Sequence, residues 1–355
     1  MTDTPIAVTI GFPVYNVERY VEEALLSALE QDFQYPYEIL VVDDCGTDGS
    51  MDIVRRLAST HKRGYSVRII SHKSNLGLGH GRNTIINNTK GRFLFFLDSD
   101  DVMAPDALSV MYARAIETGA DLTIGSIICT HNNDSAGVYR AYRDITSFRE
   151  HAGIYLLTSK GINIHGEMWG KLWSSDFLRR SGITCIHRIF EDAVPDFVSG
   201  VESSSIDLLS ATVYYYRYER ASSILTDAFK KKKDDLVFTM ASIINSIQAL
   251  VVNKYRDVPG IYDLYLKRVH NCYRAMLNSK ATMEQLSFFN ARIRGCFSII
   301  PSVWSLKTWR CRLLYLICRK RDSVEQYSKY DKTATIIAKI LSSLKKLLHN
   351  SIKTG

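Results

Sequence analysis

The chain has 355 residues, 46% apolar and 23% charged, which is ordinary for a globular protein that buries a sizeable core in one large domain, or in a domain plus an extension. No run reaches the ~18 uninterrupted apolar residues of a membrane span, and seven scattered cysteines without a CxxC pair argue against a disulfide framework or a zinc site, so reduced thiols in the cytoplasm are expected. The net charge of +8 is concentrated: from residue 306 onward twelve Lys/Arg stand against three acids, which makes the tail +9 and the remainder −1.

The opening "MTDTPIAVTIGF" has no basic stretch ahead of an apolar one, so no signal peptide is expected. "IAVTIGF" (6–12) reads as a buried strand and "VERYVEEALLSALEQ" (17–31) as a helix. A strand is predicted at 37–44, a helix at 50–60, a strand at 66–72, and then a glycine-rich loop leading into the helical "GRNTIINNT". "RFLFFLD" is a fourth strand, followed by a helix at 106–119 and a strand at 120–128. This alternation of near-continuous apolar strands with helices predicts a mostly parallel sheet covered on both faces. Beyond residue 130 the pattern loosens. "HNNDSAGVYRAYRD" reads as loop, "ATVYYYRY" (211–218) as strand, and the chain after 228 as helical.

Four polar groups follow predicted strands: "PVYN" (13–16), "DDCGTDGS" (43–50), "NLGLGHGRN" (75–83) and "DSDD" (98–101). In an open parallel sheet ligands bind beyond the carboxyl ends of the strands, so a converging set tells more than any member. Clustered carboxylates repel unless a cation offsets them, and their hard oxygens suit Mg²⁺ or Mn²⁺. The plain alternative for "DSDD" is that Asp101 caps a helix and the other acids are solvated. Asp48 or Ser50 is a candidate helix cap. Asp44 at a strand end is placed to accept from a base edge or a ribose, and Arg82 at a helix start to meet a phosphate. The structural alternative for Arg82 is a surface arginine. A nicotinamide-dependent oxidoreductase using "GLGHG" ranks far lower, because that loop belongs after the first strand, which here ends in "PVYN".

Together, "VTIGFPVYNVERYVEEALLSALEQ", "EILVVDDCGTDGS", "SNLGLGHGRN", "GRFLFFLDSDD" and "WGKLWSSDFL" resemble the family 2 glycosyltransferases, and "FEDAVPDF" and "YYYRYERASSIL" resemble the bacterial surface-polysaccharide enzymes of that family. The resemblance covers about residues 6–225. It implies the α/β GT-A fold, a Rossmann-like, mostly parallel sheet flanked by helices, as domain 1–228, with a helical, basic extension at 229–355. It implies inverting transfer of a sugar from a nucleotide diphosphate, UDP-sugar being the commonest, to a hydroxyl of a glycan or polyprenyl-lipid-linked acceptor in polysaccharide biosynthesis. A catalytically inactive sugar-nucleotide-binding or scaffold protein is the alternative. Carried over by position, Pro13, Tyr15, Asn16, Asp44, Arg82, Asp98 and Ser99 line the nucleotide site, and Asp98 and Asp100 form a D-x-D that holds ribose and a Mn²⁺ or Mg²⁺ ion, Asp100 being the direct ligand. Asp192 is the candidate general base, with Glu191 its rival, and inversion sets it roughly one sugar ring from the metal. Trp169, Lys171, Arg220 and Ser223 are candidate sugar or acceptor contacts, Trp169 being balanced against a core role and Lys171 against a solvated one. His165 is read as a surface polar residue. Two departures from the family pattern are Cys45-Gly46, where Gly-Ser is usual, and His80-Gly81, where small residues are usual.

In the tail, "TIIAKILSSLKKLLHN" (335–350) sets apolar residues at helical spacing among lysines. Such a basic amphipathic helix suits an anionic membrane surface, which places the enzyme on the inner face of the plasma membrane. Packing on the domain or a dimer contact is the alternative. No recognisable nucleic-acid fold accompanies the basic charge, so nucleic acid is not an expected partner.

Overall fold

The computed structural model describes residues 5–131, 134–162, 164–186, 190–217, 233–278, 285 and 299–300. The chain divides into two compact units, Met1–Thr226 and Asp227–Gly355. Arg220, Ser223 and the basic tail lie outside the described residues.

The first unit begins with β1 (Val8–Val14), α1 (Val21–Leu29), β2 (Tyr37–Asp43), α2 (Ser50–Thr60), β3 (Val67–Ser71), α3 (Leu78–Asn88) and β4 (Phe93–Phe96). β1 pairs in parallel with β2 and with β4, and β2 in parallel with β3. These are the strands whose continuous apolar runs predict burial on both faces, and β1 and β4 are buried throughout. β1 runs two residues further than the expected 6–12 and takes in Pro13. Proline donates no ladder hydrogen bond, and Pro13 lies past the last β1–β4 pair, Gly11 with Phe96. A Cβ on Gly11 would lie 2.4 Å from Cγ2 of Ile85, so glycine there lets α3 settle onto the sheet.

β5 (Val102–Met103), α4 (Ala107–Thr118), β6 (Leu122–His131), β7 (Asp134–Arg140), β8 (Ile145–Phe148), α5 (Ala152–Ser159), β9 (Lys171–Ser174), α6 (Ser175–Ser181), α7 (Ala193–Glu202) and β10 (Ser205–Arg217) complete the unit. The sheet order is β3-β2-β1-β4-β9-β6-β10-β5, with β7 on β6 and β8 on β10. β9 runs antiparallel to both β4 and β6, while β10 is parallel to β6, so the sheet is mostly parallel with antiparallel insertions. The segment read as loop after residue 130 instead folds back on β6 as β7. The strand expected at 211–218 is the end of the longer β10. "WGKLWSSDFL" divides between β9 and α6, where the Ser174 hydroxyl accepts the Phe177 N–H at 3.3 Å. In the second unit the described helices are α8 (Lys233–Asn253) and α9 (Ile261–Asn278). No helix among the described residues is long and apolar enough to cross a membrane.

Candidate active site at the carboxyl edge of the sheet

Three of the four polar groups meet at the ends of β1, β2 and β3. The Asp44 N–H donates to the Val14 carbonyl at 3.0 Å, which ties β2 to β1 where Tyr15 begins. The Asp44 carboxylate is 4% exposed and clamps the glycine-rich loop: Oδ1 accepts the Leu76 N–H at 2.9 Å and Oδ2 accepts the Gly77 N–H at 2.8 Å. Gly77 has φ +91°, a conformation that favours glycine, and it opens α3. Asn16, with φ +52°, accepts the Thr47 N–H on its side-chain oxygen at 2.7 Å. Asp48 bonds the Ser50 N–H and hydroxyl through Oδ1 and the Glu18 N–H through Oδ2, so it fastens the loop, while Gly49 occupies the N-cap of α2. The Ser50 hydroxyl accepts the Val17 N–H at 2.9 Å. Tyr15 and Leu76, at 43% and 41% exposure, stand open on this edge. Pro13 lies buried in β1 beneath it.

Cys45 has φ +57°, a left-handed backbone, at the position where the sequence departs from glycine. Its thiol donates to the His72 carbonyl at 2.9 Å and its N–H reaches Oδ1 of Asp43 at 3.1 Å. At Gly81, in the second of these pairs, a Cβ would meet Pro13 at an ordinary 3.6 Å.

The second centre forms where β4 ends. Asp98, Asp100 and Asp101 each offer a carboxylate oxygen, and these oxygens lie within 4.8 Å of one another. Asp101 does not cap a helix. It accepts the Tyr214 hydroxyl at 2.8 Å and the Arg217 N–H at 2.8 Å, and both donors come from β10. Tyr214 also accepts the Asp98 N–H at 3.1 Å, and Arg217 donates through Nε to the Asp100 carbonyl at 2.9 Å. Burial, reinforced by the charges of Asp100 and Asp98, pushes the Asp101 carboxyl well above its usual range. Asp100 is 7% and Ser99 5% exposed, both buried in this turn.

Arg82 is not a surface arginine. It is 2% exposed and bridges two carboxylates: Nη2 donates to Oδ1 of Asp98 at 2.9 Å and Nη1 to Oε1 of Glu191. Burial works against its charge, but Asp98, Glu191 and Asp192 together outweigh that and raise its pKa. Glu191 and Asp192 immediately precede α7. Phe190 ahead of them has φ +55°, uncommon for a bulky side chain. Asp192 sits at the N-cap of α7, yet its side chain makes no capping bond, and no hydrogen bond to its carboxylate is found among the described residues. It is partly exposed, whereas Glu191 is 6% exposed and paired with Arg82. Burial, then the charge of Glu191, pushes Asp192 well above the ordinary carboxylate range, with Arg82 opposing.

The remaining expected contacts sit deeper. Trp169 is 5% exposed and stacks on Tyr214 at 4.7 Å, Tyr216 at 5.1 Å and His165 at 5.5 Å, so its faces are covered and it supports the tyrosine that holds the aspartate turn. His165 is fully buried rather than a surface residue. Its Nδ1 lies 3.1 Å from Oε2 of Glu167, and burial, reinforced by the Lys171 charge, pushes its pKa down to about 4. Lys171 is neither solvated nor open to a phosphate: it is fully buried, 4.0 Å from Oδ1 of Asp196 on α7. Sequence reasoning missed Tyr214, Arg217, His72 and Asp196. The alternation of Tyr214 and Tyr216 in "VYYYR" was the available signal for the first of these.

The aspartate turn fits a hard divalent cation, because its ligands are crowded carboxylate oxygens. Asp101 has both oxygens committed to protein donors and Asp98 shares one with Arg82, so Asp98 and Asp100 would hold the ion.

Residues 9–170 match the family model described as glycosyl transferase family 2. Over these residues the chain is similar to glycosyltransferase family 2. Among curated relatives, the poly(ribitol-phosphate) beta-glucosyltransferase of Bacillus spizizenii is 29% identical over 256 residues, 71% of this chain and 38% of that protein. The poly(ribitol-phosphate) beta-N-acetylglucosaminyltransferase TarS of Staphylococcus aureus is 26% identical over 226 residues, 62% of this chain and 37% of that protein. The matches thus span well under two thirds of these relatives' own length. The crystal structure of S. aureus TarS 1-349 in complex with UDP-GlcNAc superposes with a TM-score of 0.68 at 20% identity, covering 93% of this chain and 92% of that one. At that identity the likeness establishes the fold, which is GT-A as expected.

Proposed function

We propose that the first unit is an inverting glycosyltransferase that moves a sugar from a UDP-sugar to a hydroxyl of a glycan or lipid-linked acceptor. The observation that carries this reading is the Arg82 bridge. One guanidinium joins Asp98 of the aspartate turn to Glu191, the chain neighbour of Asp192, whose carboxylate takes no hydrogen bond among the described residues. The TarS complex with UDP-GlcNAc and the sugar transfers named for the relatives support UDP-sugar as the donor class.

In this reading Asp44 receives the base or ribose, flanked by Tyr15 and Leu76, with Pro13 and Asn16 shaping the loop beneath. Asp98 and Asp100 would hold Mn²⁺ or Mg²⁺, which would offset the negative charge that builds on the leaving nucleoside diphosphate. Asp192 is the general base. It takes the proton of the acceptor hydroxyl as that oxygen attacks the anomeric carbon from the face opposite the leaving group, and such a base supplies ~10²–10⁴-fold. Its raised pKa makes it a better proton acceptor than a solvated carboxylate. Glu191, held by Arg82, orients that guanidinium rather than acting as the base. Arg220 and Ser223 remain candidate closing contacts. The second unit is an accessory extension whose basic tail brings the enzyme to an anionic membrane, a role read by vesicle co-sedimentation with and without residues 306–355.

Calorimetric titration of UDP, GDP and NAD⁺, each with Mn²⁺ and with EDTA, tests the reading. Tight UDP binding that needs both Mn²⁺ and Asp100, lost in Asp100→Ala, is the expected result. Metal-independent NAD⁺ binding, or no nucleotide binding, would overturn it.

A further inference from the structure

Asp44 has nearly all of its acceptor capacity assigned, and one of its partners lies outside every motif. His72 follows β3 directly. Its Nδ1 lies 2.7 Å from Oδ1 of Asp44, and its Nε2 meets the Thr84 hydroxyl of α3 at 2.9 Å. The side chain is 9% exposed, and the backbone N–H donates to the Asp43 carbonyl at 2.9 Å, so the ring is held at both ends and at its root. Asp44 Oδ1 only accepts, so Nδ1 carries the proton.

A carboxylate oxygen has two in-plane acceptor sites. Oδ1 of Asp44 spends both, on the Leu76 N–H and on His72. Oδ2 spends one on the Gly77 N–H, which leaves a single site on the whole group. A uracil edge presents one N–H between two carbonyls and needs one acceptor. A guanine edge presents two parallel N–H donors and needs both oxygens of a carboxylate. Against this Asp44 the second guanine donor would be buried without an acceptor, and a buried donor left unpaired costs more than a hydrogen bond gains.

We infer that His72 is a specificity-determining residue for the donor's base: by filling Oδ1 it leaves Asp44 one acceptor, which admits uracil and rejects guanine. The inference rests on the reading of Asp44 as the base-binding acceptor.

The test is calorimetric measurement of Kd for UDP and GDP, with Mn²⁺ present, on the full chain and on three variants. In His72→Asn the carboxamide nitrogen takes the place of Nδ1 and keeps the bond to Asp44. In His72→Gln it takes the place of Nε2 and keeps only the bond to Thr84. The preference for UDP over GDP should survive in His72→Asn and shrink about tenfold in His72→Gln, the size expected for one hydrogen bond to a charged group. Melting temperatures confirm that both variants fold, and Thr84→Val, which frees the ring while leaving His72 in place, should shrink the preference to an intermediate degree. A preference unchanged in both His72 variants, or lost equally in both, overturns the inference and leaves the donor reading standing. A wild-type chain with no preference for UDP overturns the donor reading and the inference with it.

Discussion

The two ends of the polar edge are built on opposite principles. Around Asp44 one carboxylate is held by three donors, two backbone N–H groups and an imidazole nitrogen. Around the aspartate turn stand five carboxylates, Asp98, Asp100, Asp101, Glu191 and Asp192; the Arg82 guanidinium pairs with Asp98 and Glu191, while that of Arg217 reaches the Asp100 carbonyl and the Glu23 carboxylate. A single carboxylate clamped by three donors is organised before its ligand arrives, whereas a crowd of carboxylates is organised for a ligand that brings positive charge. The first region should therefore work without a cation and the second should depend on one.

The largest effect should come from the base. Asp192→Asn should lower kcat by about 10²–10⁴-fold while UDP affinity stays within a few-fold, read by initial rates and calorimetry. The wild-type kcat/KM should fall with decreasing pH at an acidic limb above the usual carboxylate range. The base works deprotonated, and burial raises the pH at which it protonates. A limb at the ordinary position would mean that Asp192 is solvated and not the base.

Removing the bridge should come next. Arg82→Met leaves Asp98 and Glu191 facing each other without the cation between them, and breaking a buried pair in this way costs about 3–5 kcal/mol, read by denaturant unfolding. Added Mn²⁺ should restore part of that loss. In the wild type, Mn²⁺ at about 100 times its Kd should stabilise the chain by about 2.7 kcal/mol in thermal melts, and Asp100→Asn should lose most of that gain.

The smallest effect belongs to the Asp44 region. Cys45→Gly relieves a left-handed backbone at the cost of one thiol hydrogen bond, and should raise stability by no more than about 1 kcal/mol. For a unit of this size that is about 2–4 °C in Tm, with UDP affinity unchanged.

What was legible in the sequence divides along the same line. β1, β2 and β4 were visible because strands buried on both faces are written as near-continuous apolar runs, and the polar groups that follow them mark one edge whatever the register. The rest of the sheet was harder to see. β5 is two residues long, and β7, whose Val138 is 68% exposed, reads as loop. Asp192 carried no local signal beyond a helix start, and only the family resemblance singled it out. The positions of Trp169, Lys171 and His165 were not legible, because a lysine is buried only where a partner waits, and Asp196 stands 25 residues further along. The burial of Arg82 and its pairing were not legible for the same reason: its two carboxylate partners come from β4's end and from the start of α7.

The most direct measurement is to titrate uridine and UDP into the wild-type chain with Mn²⁺ and again with EDTA. Uridine engages only the Asp44 clamp, and its Kd should be the same in both conditions. UDP also engages the carboxylates, and its Kd should rise at least about tenfold when the cation is removed. UDP binding that EDTA leaves unchanged would contradict the account, because five carboxylates would then be accepting a diphosphate with no cation to offset them.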